Sequence, residues 1–374
     1  MTVPSAAYAA ALAGFAGMNV HRLGALLRRH SPEDAWRVVQ GQIPAEGLVA
    51  RVLADRELRS LWQRCANAHA PEAVWAHCRE LGVDVLVHGG ERYPSVLLED
   101  LLPPPVLFVR GDLSLLGGRR VAIVGTRNAT AAGRGAARSI AADLAAAGVH
   151  IVSGLARGID GAAHQGVIAA DGPGRPIGIV ASGLDVVYPR EHRDLWSAVG
   201  NCGLLISEAA LGTPPEGYRF PLRNRIVAAL AEVVVVVESR EKGGSLITAA
   251  EALDRGVPLM AVPGHPGNRA AAGTNALLRD GAAPAMEAAD VLAALDLDHR
   301  RTSVPVGQDL RRRPRSQDVG VYRVLSDEPR TIDAVALLAG LSLVEAAMRL
   351  ARLESAGWIA QADGWFECVG SPLR

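Results

Sequence analysis

The feature that most limits the possible folds of this chain is a regular alternation of apolar strands and helices between residues 119 and 295. The strand-like segments read VAIVG, HIVSG, PIGIVAS, GLLISE, AEVVVVVES and PLMAVPG. Helical patterns separate them at residues 132–147, from Gly161 onward and at residues 245–255. Strands that are apolar on both faces and alternate with helices indicate a parallel sheet covered on both sides. We therefore predict an α/β fold in which the strand ends carry the ligand.

The other parts of this chain of 374 residues have different patterns. Residues 1–80 are predicted to form a domain of short helices, because apolar positions recur at helical spacing. Residues 81–295 hold the central domain, and two strand-like runs between residues 84 and 118 lead into its sheet. Residues 296–315 are rich in arginine and have no apolar period, which is typical of a linker.

The tail, residues 316–374, has three helical patterns followed by the hairpin-like segment WIAQADGWFECV. The Asp363–Gly364 pair predicts the hairpin turn. Ser342 and Glu345 predict a capping box at the start of the third helix, which ends at Gly357. Three helices and a hairpin describe a winged helix, and its third helix would enter the groove of duplex DNA.

The composition excludes several classes of protein. With 49% hydrophobic residues the chain is globular, and its net charge of zero means that any nucleic-acid site is local. Its four cysteines form no CxxC pair and have no zinc-ligand spacing, which fits a reducing compartment and predicts no metal site. No basic residue precedes the apolar stretch AAYAAALAGFAG, and no apolar run approaches the ~20 residues of a membrane span. We expect a soluble cytoplasmic protein with no membrane contact, in which that stretch is a buried helix.

Two strand ends carry the residues of an anion site. These residues are Gly125, Thr126 and Arg127 after the first strand, and Ser153, Gly154 and Arg157 after the second. At a turn from strand to helix, backbone N–H groups and a guanidinium can converge on an anion. Gly133 and Gly135 come too late for the dinucleotide fingerprint, and the GKS or GKT of a P-loop is missing. We therefore predict phosphate binding with no NAD, no ATP hydrolysis and no cofactor.

Basic and aromatic side chains are concentrated in the segment YRFPLRNRI. Its candidate binding residues are Phe220, Arg223, Asn224 and Arg225, with Tyr218 and Arg219 beside them. This combination suits a nucleic-acid strand whose bases stack while its phosphates are neutralised. The alternative is that Phe220 and Ile226 are core residues and that the arginines pair with acids such as Glu208 or Glu238.

A further strand end lies in ESREKGGSLITAAE, which contains the only lysine of the chain. The candidate residues there are Lys242, Gly243, Gly244 and Ser245. They precede a helix, where N–H groups point outward, although an ordinary glycine-rich turn is the alternative. A mononucleotide would not need several phosphate-binding turns along one edge of the sheet. Their number is better suited to a ligand with a chain of phosphates.

Asp160 and His164 are four residues apart, which would suit an acid and base pair. A helix cap and a packed histidine are the more common meaning of this spacing. We therefore predict no catalytic residue.

Eight segments, in order, resemble the DNA-processing protein A family, DprA or Smf. They are VAIVGTRNAT, VSGLARGIDGAAH, GLDVVYP, LLISE, FPLRNRIVAAL, GGSLITAAEA, VPG and GTNALLRDGA. The resemblance implies an extended Rossmann-like parallel sheet, a helical N-terminal domain of sterile-alpha-motif type and a winged-helix C-terminal domain. It also implies a homodimer that binds single-stranded DNA and helps to load the RecA recombinase during natural transformation. By motif position, the contacts to the strand would come from Arg127, Arg157, Phe220, Arg223, Asn224 and Arg225, with Lys242 adding a further charge.

Two other functions stay open at this point. A nucleotide-processing enzyme of phosphoribohydrolase type would use a PGGxGTxxE loop, but in GGSLITAAE both Thr248 and Glu251 come one position late. A regulator would bind duplex DNA through the winged helix, whose third helix has Arg349 and Arg352 as its basic residues. We favour a non-catalytic protein that binds a single strand independently of sequence, because few side chains are available to read base edges.

Overall fold

The computed structural model describes residues 3–170, 172–297, 314–326, 329–362 and 364–368. The chain divides into two compact units, residues 1–298 and residues 299–374. Most of the predicted linker, residues 296–315, lies outside the described residues, and so does Asp363 of the predicted hairpin turn.

Six short helices form the N-terminal part of the first unit. They are α1 (Ser5–Ala13), α2 (Val20–Leu27), α3 (Pro32–Gln40), α4 (Gly47–Leu53), α5 (Arg56–Ala68) and α6 (Pro71–Glu80). As predicted, α1 is largely buried. The Asp34 N–H donates to Ser31 Oγ at 3.1 Å and so caps the start of α3. Trp62 of α5 is fully buried in a core that also contains Val180 and Leu205 of the central sheet. The six helices are therefore packed onto the sheet.

The central sheet has nine strands, and most of them are parallel. They are β1 (Asp84–Val87), β2 (Val106–Gly111), β3 (Arg120–Val124), β4 (His150–Ser153), β5 (Pro176–Val180), β6 (Leu204–Ser207), β7 (Val233–Val236), β8 (Leu259–Ala261) and β9 (Ala283–Pro284). Their order in the sheet is β1-β2-β6-β5-β4-β3-β7-β8-β9. Only the pairings of β1 with β2 and of β2 with β6 are antiparallel. The predicted α/β fold with a parallel sheet is confirmed.

Eight helices accompany the sheet. They are α7 (Ser95–Leu98), α8 (Ala131–Ala146), α9 (Ile159–Ala170), α10 (Arg193–Cys202), α11 (Arg219–Leu230), α12 (Ser245–Asp254), α13 (Ala272–Arg279) and α14 (Ala288–Leu297). Ile123 packs in the core that contains Ile140 of α8, whereas its neighbour Val124 packs in the core that contains Ile226 of α11. Both faces of the sheet are therefore covered, which explains why its strands are apolar at every position. Within the described residues, no single helix is long and apolar enough to cross a bilayer.

The second unit contains three helices and a three-stranded antiparallel sheet. Its elements are α15 (Val319–Val324), β10 (Arg330–Thr331), α16 (Ile332–Ala339), α17 (Leu343–Ser355), β11 (Ile359–Ala362) and β12 (Trp365–Cys368), with the strand order β10-β12-β11. The predicted capping box of α17 is present: Ser342 Oγ accepts from the Glu345 N–H, and Glu345 Oε2 accepts from the Ser342 N–H at 3.0 Å. This order of elements agrees with the predicted tail, and the assignment as a winged helix stays a prediction.

Candidate nucleic-acid interface

A groove of about 640 Å³ opens at the carboxyl ends of β3 and β7. The strand order reverses at β3, because β4 lies on one side of it and β7 on the other. The loops that follow β3 and β7 therefore diverge and leave a crevice, which is where open α/β sheets bind ligands. The predicted residues that line the groove are Gly125, Thr126, Arg127, Gly154, Phe220, Arg223, Asn224, Lys242, Gly243, Gly244 and Ser245.

The loop between β3 and α8 forms one wall and is held by a buried acid, Glu238. The Thr126 N–H donates to the Glu238 carbonyl at 2.7 Å, and the Thr130 N–H donates to the Glu238 carboxylate at 3.0 Å. Thr130 Oγ1 in turn caps α8 by accepting from the Gly133 N–H at 2.9 Å. A Cβ at position 125 would lie 2.4 Å from Ile159 Cγ1, so only glycine fits at this turn. Glu238 thus fixes the loop and is not an ion-pair partner of the arginines, which the sequence had left open.

Phe220 contacts both a guanidinium and a second aromatic ring. Arg127 Cζ is 4.4 Å from the centroid of the Phe220 ring, and the centroid of the Tyr188 ring is 5.5 Å away on a plane tilted by 50°. Tyr188 is 38% exposed. Aromatic rings and guanidinium planes are the surfaces on which unstacked bases stack. The sequence analysis missed Tyr188, although the GLDVVYP segment that contains it was part of the family resemblance.

Arg223 and Asp160 form the floor of the groove and are both buried. Asp160 Oδ2 accepts from the Gly154 N–H at 3.0 Å, and Arg223 Nη1 donates to the Ile179 carbonyl. Burial lowers the pKa of Arg223 to about 10, against the attraction of Asp160. Burial also raises the pKa of Asp160, and Arg223 opposes that shift. A Cβ at position 154 would lie 2.1 Å from Arg223 Nη1, so a larger residue there would displace the Arg223 guanidinium.

His164 does not face the groove with Asp160. Its side chain is fully buried, and burial lowers its pKa to about 4, so the imidazole is neutral at pH 7. The carboxylate of Asp160 accepts a backbone hydrogen bond instead of one from the imidazole. The arrangement favours a packed histidine over an acid and base pair, and Asp160, inside the first turn of α9, holds the Gly154 loop instead of capping the helix.

The opposite wall comes from the loop between β7 and α12. Gly244 directly precedes α12, and Ser245 Oγ donates to Ser239 Oγ at 2.9 Å. Arg240 and Lys242 extend from this loop into solvent and line the groove. Within the described part of the chain, Arg127, Arg240 and Lys242 form no ion pair with an acid. Three cations that face the groove are thus available to an anion, and Arg240 was not among the predicted site residues.

Three predicted site residues do not line the groove. Ser153 is buried and its Oγ donates to the Ile123 carbonyl at 2.6 Å. Arg157 is exposed and forms an ion pair with Glu191. Arg225 is buried, and its Nη2 lies 2.6 Å from each carboxylate oxygen of Glu208. For Arg225, the structure therefore has the acid pairing that the sequence analysis gave as the alternative.

The helical geometry of α11 explains why Arg223 and Arg225 differ. Residues two positions apart in an α-helix, such as Arg223 and Arg225, point in directions about 200° apart around the helix axis. Phe220, Arg223, Asn224 and Val227 have the spacing of one helix face, and all four line the groove. Arg225 lies on the opposite side and reaches Glu208.

Another cavity of about 660 Å³ lies between the α1–α2 loop and the start of α11. Its charged lining residues include Glu208, Glu216 and Arg219. Arg219 Nε lies 2.9 Å from Glu216 Oε2, and Glu208 is paired with Arg225. Arg223 also lines this cavity but is buried. Since none of the described lining residues is an exposed cation without an acidic partner, phosphate binding is better placed in the groove.

The enzyme hypothesis depends on Glu251, which would have to face the groove. Glu251 instead pairs with Arg255, which directly follows α12. Arg255 is also bound to Asp100, with 2.7 Å between Nε and Oδ1. Thr248 lines the groove, but Glu251 does not. The positions of these residues do not match those of a phosphoribohydrolase loop.

Comparisons with known proteins agree with the resemblance. A family model described as DNA recombination-mediator protein A matches residues 84–296. DNA processing protein DprA of Bacillus subtilis is 41% identical over 223 residues, which cover 59% of this chain and 74% of that protein. Protein Smf of Escherichia coli is 37% identical over 283 residues, which cover 74% of this chain and 75% of that protein.

Two solved structures are similar to this one. The X-ray structure of DNA processing protein A from Streptococcus pneumoniae superposes with a TM-score of 0.64 at 29% identity, covering 78% of this chain and 98% of that one. A structure that describes the single-stranded DNA binding mode of DNA processing protein A from Helicobacter pylori superposes with a TM-score of 0.50 at 30% identity, covering 57% of this chain and 95% of that one. The predicted membership is confirmed: the chain belongs to the DNA recombination-mediator protein A family.

Proposed function

We propose that this protein binds single-stranded DNA along the groove at the carboxyl ends of β3 and β7. The observation that carries the proposal is the contact of Phe220 with Arg127 and Tyr188, together with Arg240 and Lys242 on the opposite wall, which form no ion pair among the described residues. A strand in this groove would stack bases on the aromatic side and place its phosphates near the cations. The related protein from Helicobacter pylori, which has a described single-stranded DNA binding mode, supports the same assignment.

The binding is independent of sequence in this proposal. Stacking accepts every base because every base has a π-face, and a cation that neutralises a phosphate carries no sequence information. Few side chains in the groove can hydrogen-bond a base edge. One of them, Asn224, is already in contact with the protein, because its Nδ2 lies 3.5 Å from the Gly244 carbonyl oxygen. Affinity therefore depends on the number of bases stacked and phosphates contacted.

We further propose that the protein acts without catalysis, as a homodimer that passes the bound strand to the RecA recombinase during natural transformation. Membership in a family of recombination mediators supports this part of the proposal. The ion pair of Glu251 with Arg255 argues against the phosphoribohydrolase-like alternative, because it removes the acid that such a loop would use.

The test is fluorescence anisotropy with labelled single-stranded and duplex oligonucleotides, with unlabelled mononucleotide as competitor. We expect preference for the single strand, a strong dependence on salt and a loss of affinity in Arg127→Ala. Arg59→Ala is the matched control, because it removes the same charge from an exposed position on α5. Displacement of the oligonucleotide by low concentrations of mononucleotide would contradict the proposal and favour a nucleotide-processing enzyme.

A further inference from the structure

The cavity between the α1–α2 loop and the start of α11 takes no part in the proposed strand binding. It lies at the carboxyl ends of β5 and β6, because Val180 ends β5 and Glu208 directly follows β6, and both line it. These strands are parallel neighbours, and the carboxyl ends of such strands are where open α/β sheets bind ligands. Its volume of about 660 Å³ is within the range of small-molecule sites, roughly 300–1,000 Å³. The cavity is therefore a candidate ligand site of its own.

Two walls of the cavity are apolar. Phe15 and Met18 come from the α1–α2 loop, and Leu222 and Ile226 come from α11. Leu222 is 43% exposed, so apolar surface is left uncovered at this site. Ligand pockets typically combine such apolar walls with a few polar groups that orient the ligand. A flat aromatic ligand would cover these walls.

The charges of the cavity balance one another. Glu208 is paired with Arg225, and Arg219 Nε lies 2.9 Å from Glu216 Oε2. Each of these charged groups has a partner of opposite sign, so the lining offers no excess charge to a phosphate. The part of a ligand that enters the cavity should therefore be neutral.

Hydrogen-bonding groups remain available on Glu208 and Arg219. The Glu208 side chain is 23% exposed, and each of its oxygens keeps a lone pair beyond the contact with Arg225 Nη2. The Nη groups of Arg219 form no hydrogen bond within the described residues. Burial raises the pKa of Glu208, and the charges of Arg225, His21 and Arg219 oppose this shift, so Arg219 acts on the carboxylate. The cavity thus presents a pair of acceptor oxygens with a donor nearby.

Among the nucleobases, guanine matches this set. Its N1–H and N2–H₂ groups are adjacent donors that a carboxylate can accept together, and its O6 is an acceptor that suits a guanidinium. Adenine and cytosine have one amino group beside an acceptor nitrogen, so they would set a lone pair against the carboxylate. We propose that this cavity binds a guanine base, with Glu208 accepting from N1–H and N2–H₂ and Arg219 donating to O6. The sugar and any phosphate stay outside, and the site goes beyond the proposed function because it does not use the groove.

The experiment is isothermal titration calorimetry of the full chain with guanosine, inosine and adenosine. Nucleosides are used because they have no phosphate that could reach the cations of the groove. Guanosine should bind, and adenosine should bind roughly 5- to 150-fold more weakly, as expected for a mismatched base contact. Inosine lacks the N2 amino group and should have an intermediate affinity.

Glu208→Gln tests the base contact. The side-chain amide keeps one acceptor oxygen and sets an N–H₂ donor against the donors of guanine, so the preference for guanosine over adenosine should disappear. A purely structural role of Glu208 would weaken both nucleosides equally and leave the preference. Glu57→Gln is the matched control, because Glu57 is exposed on α5 and does not line the cavity, and it should change nothing.

Gly14→Leu keeps the inference testable if Glu208→Gln does not fold. Gly14 lines the cavity with an ordinary helical φ of −83°, and a Cβ there would meet Ala210 Cβ at 3.6 Å, a normal contact. The larger side chain fits the backbone and fills part of the cavity. It should abolish guanosine binding and leave the affinity for a thymine oligonucleotide unchanged.

The guanine could belong to a free nucleotide or to a DNA strand, and a thymine oligonucleotide with one guanine separates the two. A gain in affinity over the all-thymine strand that Glu208→Gln removes identifies a strand, whereas guanosine binding without such a gain identifies a free nucleotide. Equal affinity for guanosine and adenosine, an unchanged preference in Glu208→Gln, or neither guanosine binding nor a gain from the guanine would overturn the inference. Displacement of the all-thymine strand by guanosine would also overturn it, because the base would then lie in the groove. A wild-type chain that binds guanosine but no thymine strand would refute the proposed function and leave the cavity result valid.

Discussion

The groove and the α17 helix are both places where a basic sequence suggests DNA, and they use their cations differently. In the groove, Arg127, Arg240 and Lys242 project without an acidic partner among the described residues. On α17, Arg349 and Arg352 are bound to groups of their own unit and the outward face is apolar. The number of arginines in a segment therefore does not indicate a phosphate site. What matters is whether folding leaves their charge available.

The largest expected effect is a loss of stability when an arginine that is paired with an acid in the folded protein is removed. Arg225→Ala leaves the Glu208 carboxylate, whose side chain is 23% exposed, without its partner. Breaking a fully buried ion pair costs about 3–5 kcal/mol of the free energy of unfolding, so the loss here should reach at most this size. Chemical denaturation followed by circular dichroism measures this loss. The single-strand affinity of the folded fraction should stay near that of the wild-type chain, because Arg225 lies outside the groove. A large loss of affinity without a loss of stability would contradict this division between engaged and available arginines.

The next effect concerns the stacking surface. Phe220→Ala removes the ring that Arg127 and Tyr188 contact. Since stacking contributes about 1–3 kcal/mol per base, single-strand affinity should fall roughly 5- to 150-fold. Phe220→Tyr is the control and should keep most of the affinity, because it retains a π-face. Equal losses in both variants would show that the ring supports the fold of the groove and does not stack on bases.

The sheet and its helices could be predicted because their signals are local. Strands such as β7, with valine at each of its four positions, are recognisable without knowing their neighbours. The capping box at Ser342 and Glu345 depends on residues three positions apart and was also predicted correctly. These elements follow from short-range sequence patterns.

The site could be predicted only in part, because its residues meet through the topology of the sheet. Tyr188 follows β5 and contacts Phe220 of α11, a contact that no spacing in the sequence encodes. Arg240 is brought to the groove by the pairing of β7 with β3. Arg225 could have been separated from Arg223 by helical periodicity once α11 was recognised as a helix. Its actual partner, Glu208, follows the distant strand β6 and depends on the tertiary fold.

The smallest expected effect on single-strand affinity comes from removing the tail that contains α17. Deletion of residues 316–374 should leave single-strand affinity per chain unchanged within about twofold, as expected for sites in separate units without shared partners. The binding is measured by anisotropy at a chain concentration where self-association is negligible. A complete loss of DNA binding would instead support a regulator that acts through the tail.

The most direct test of the central claim compares one available arginine with one engaged arginine. The measurement is the slope of log affinity against log salt for a single-stranded oligonucleotide, in wild type, Arg127→Ala and Arg349→Ala. If the groove binds the strand, Arg127→Ala lowers both the affinity and the magnitude of the slope, the latter by about one phosphate contact. Arg349→Ala then leaves both unchanged. An unchanged slope in Arg127→Ala, together with a reduced slope in Arg349→Ala, would contradict the assignment and move the DNA site to α17.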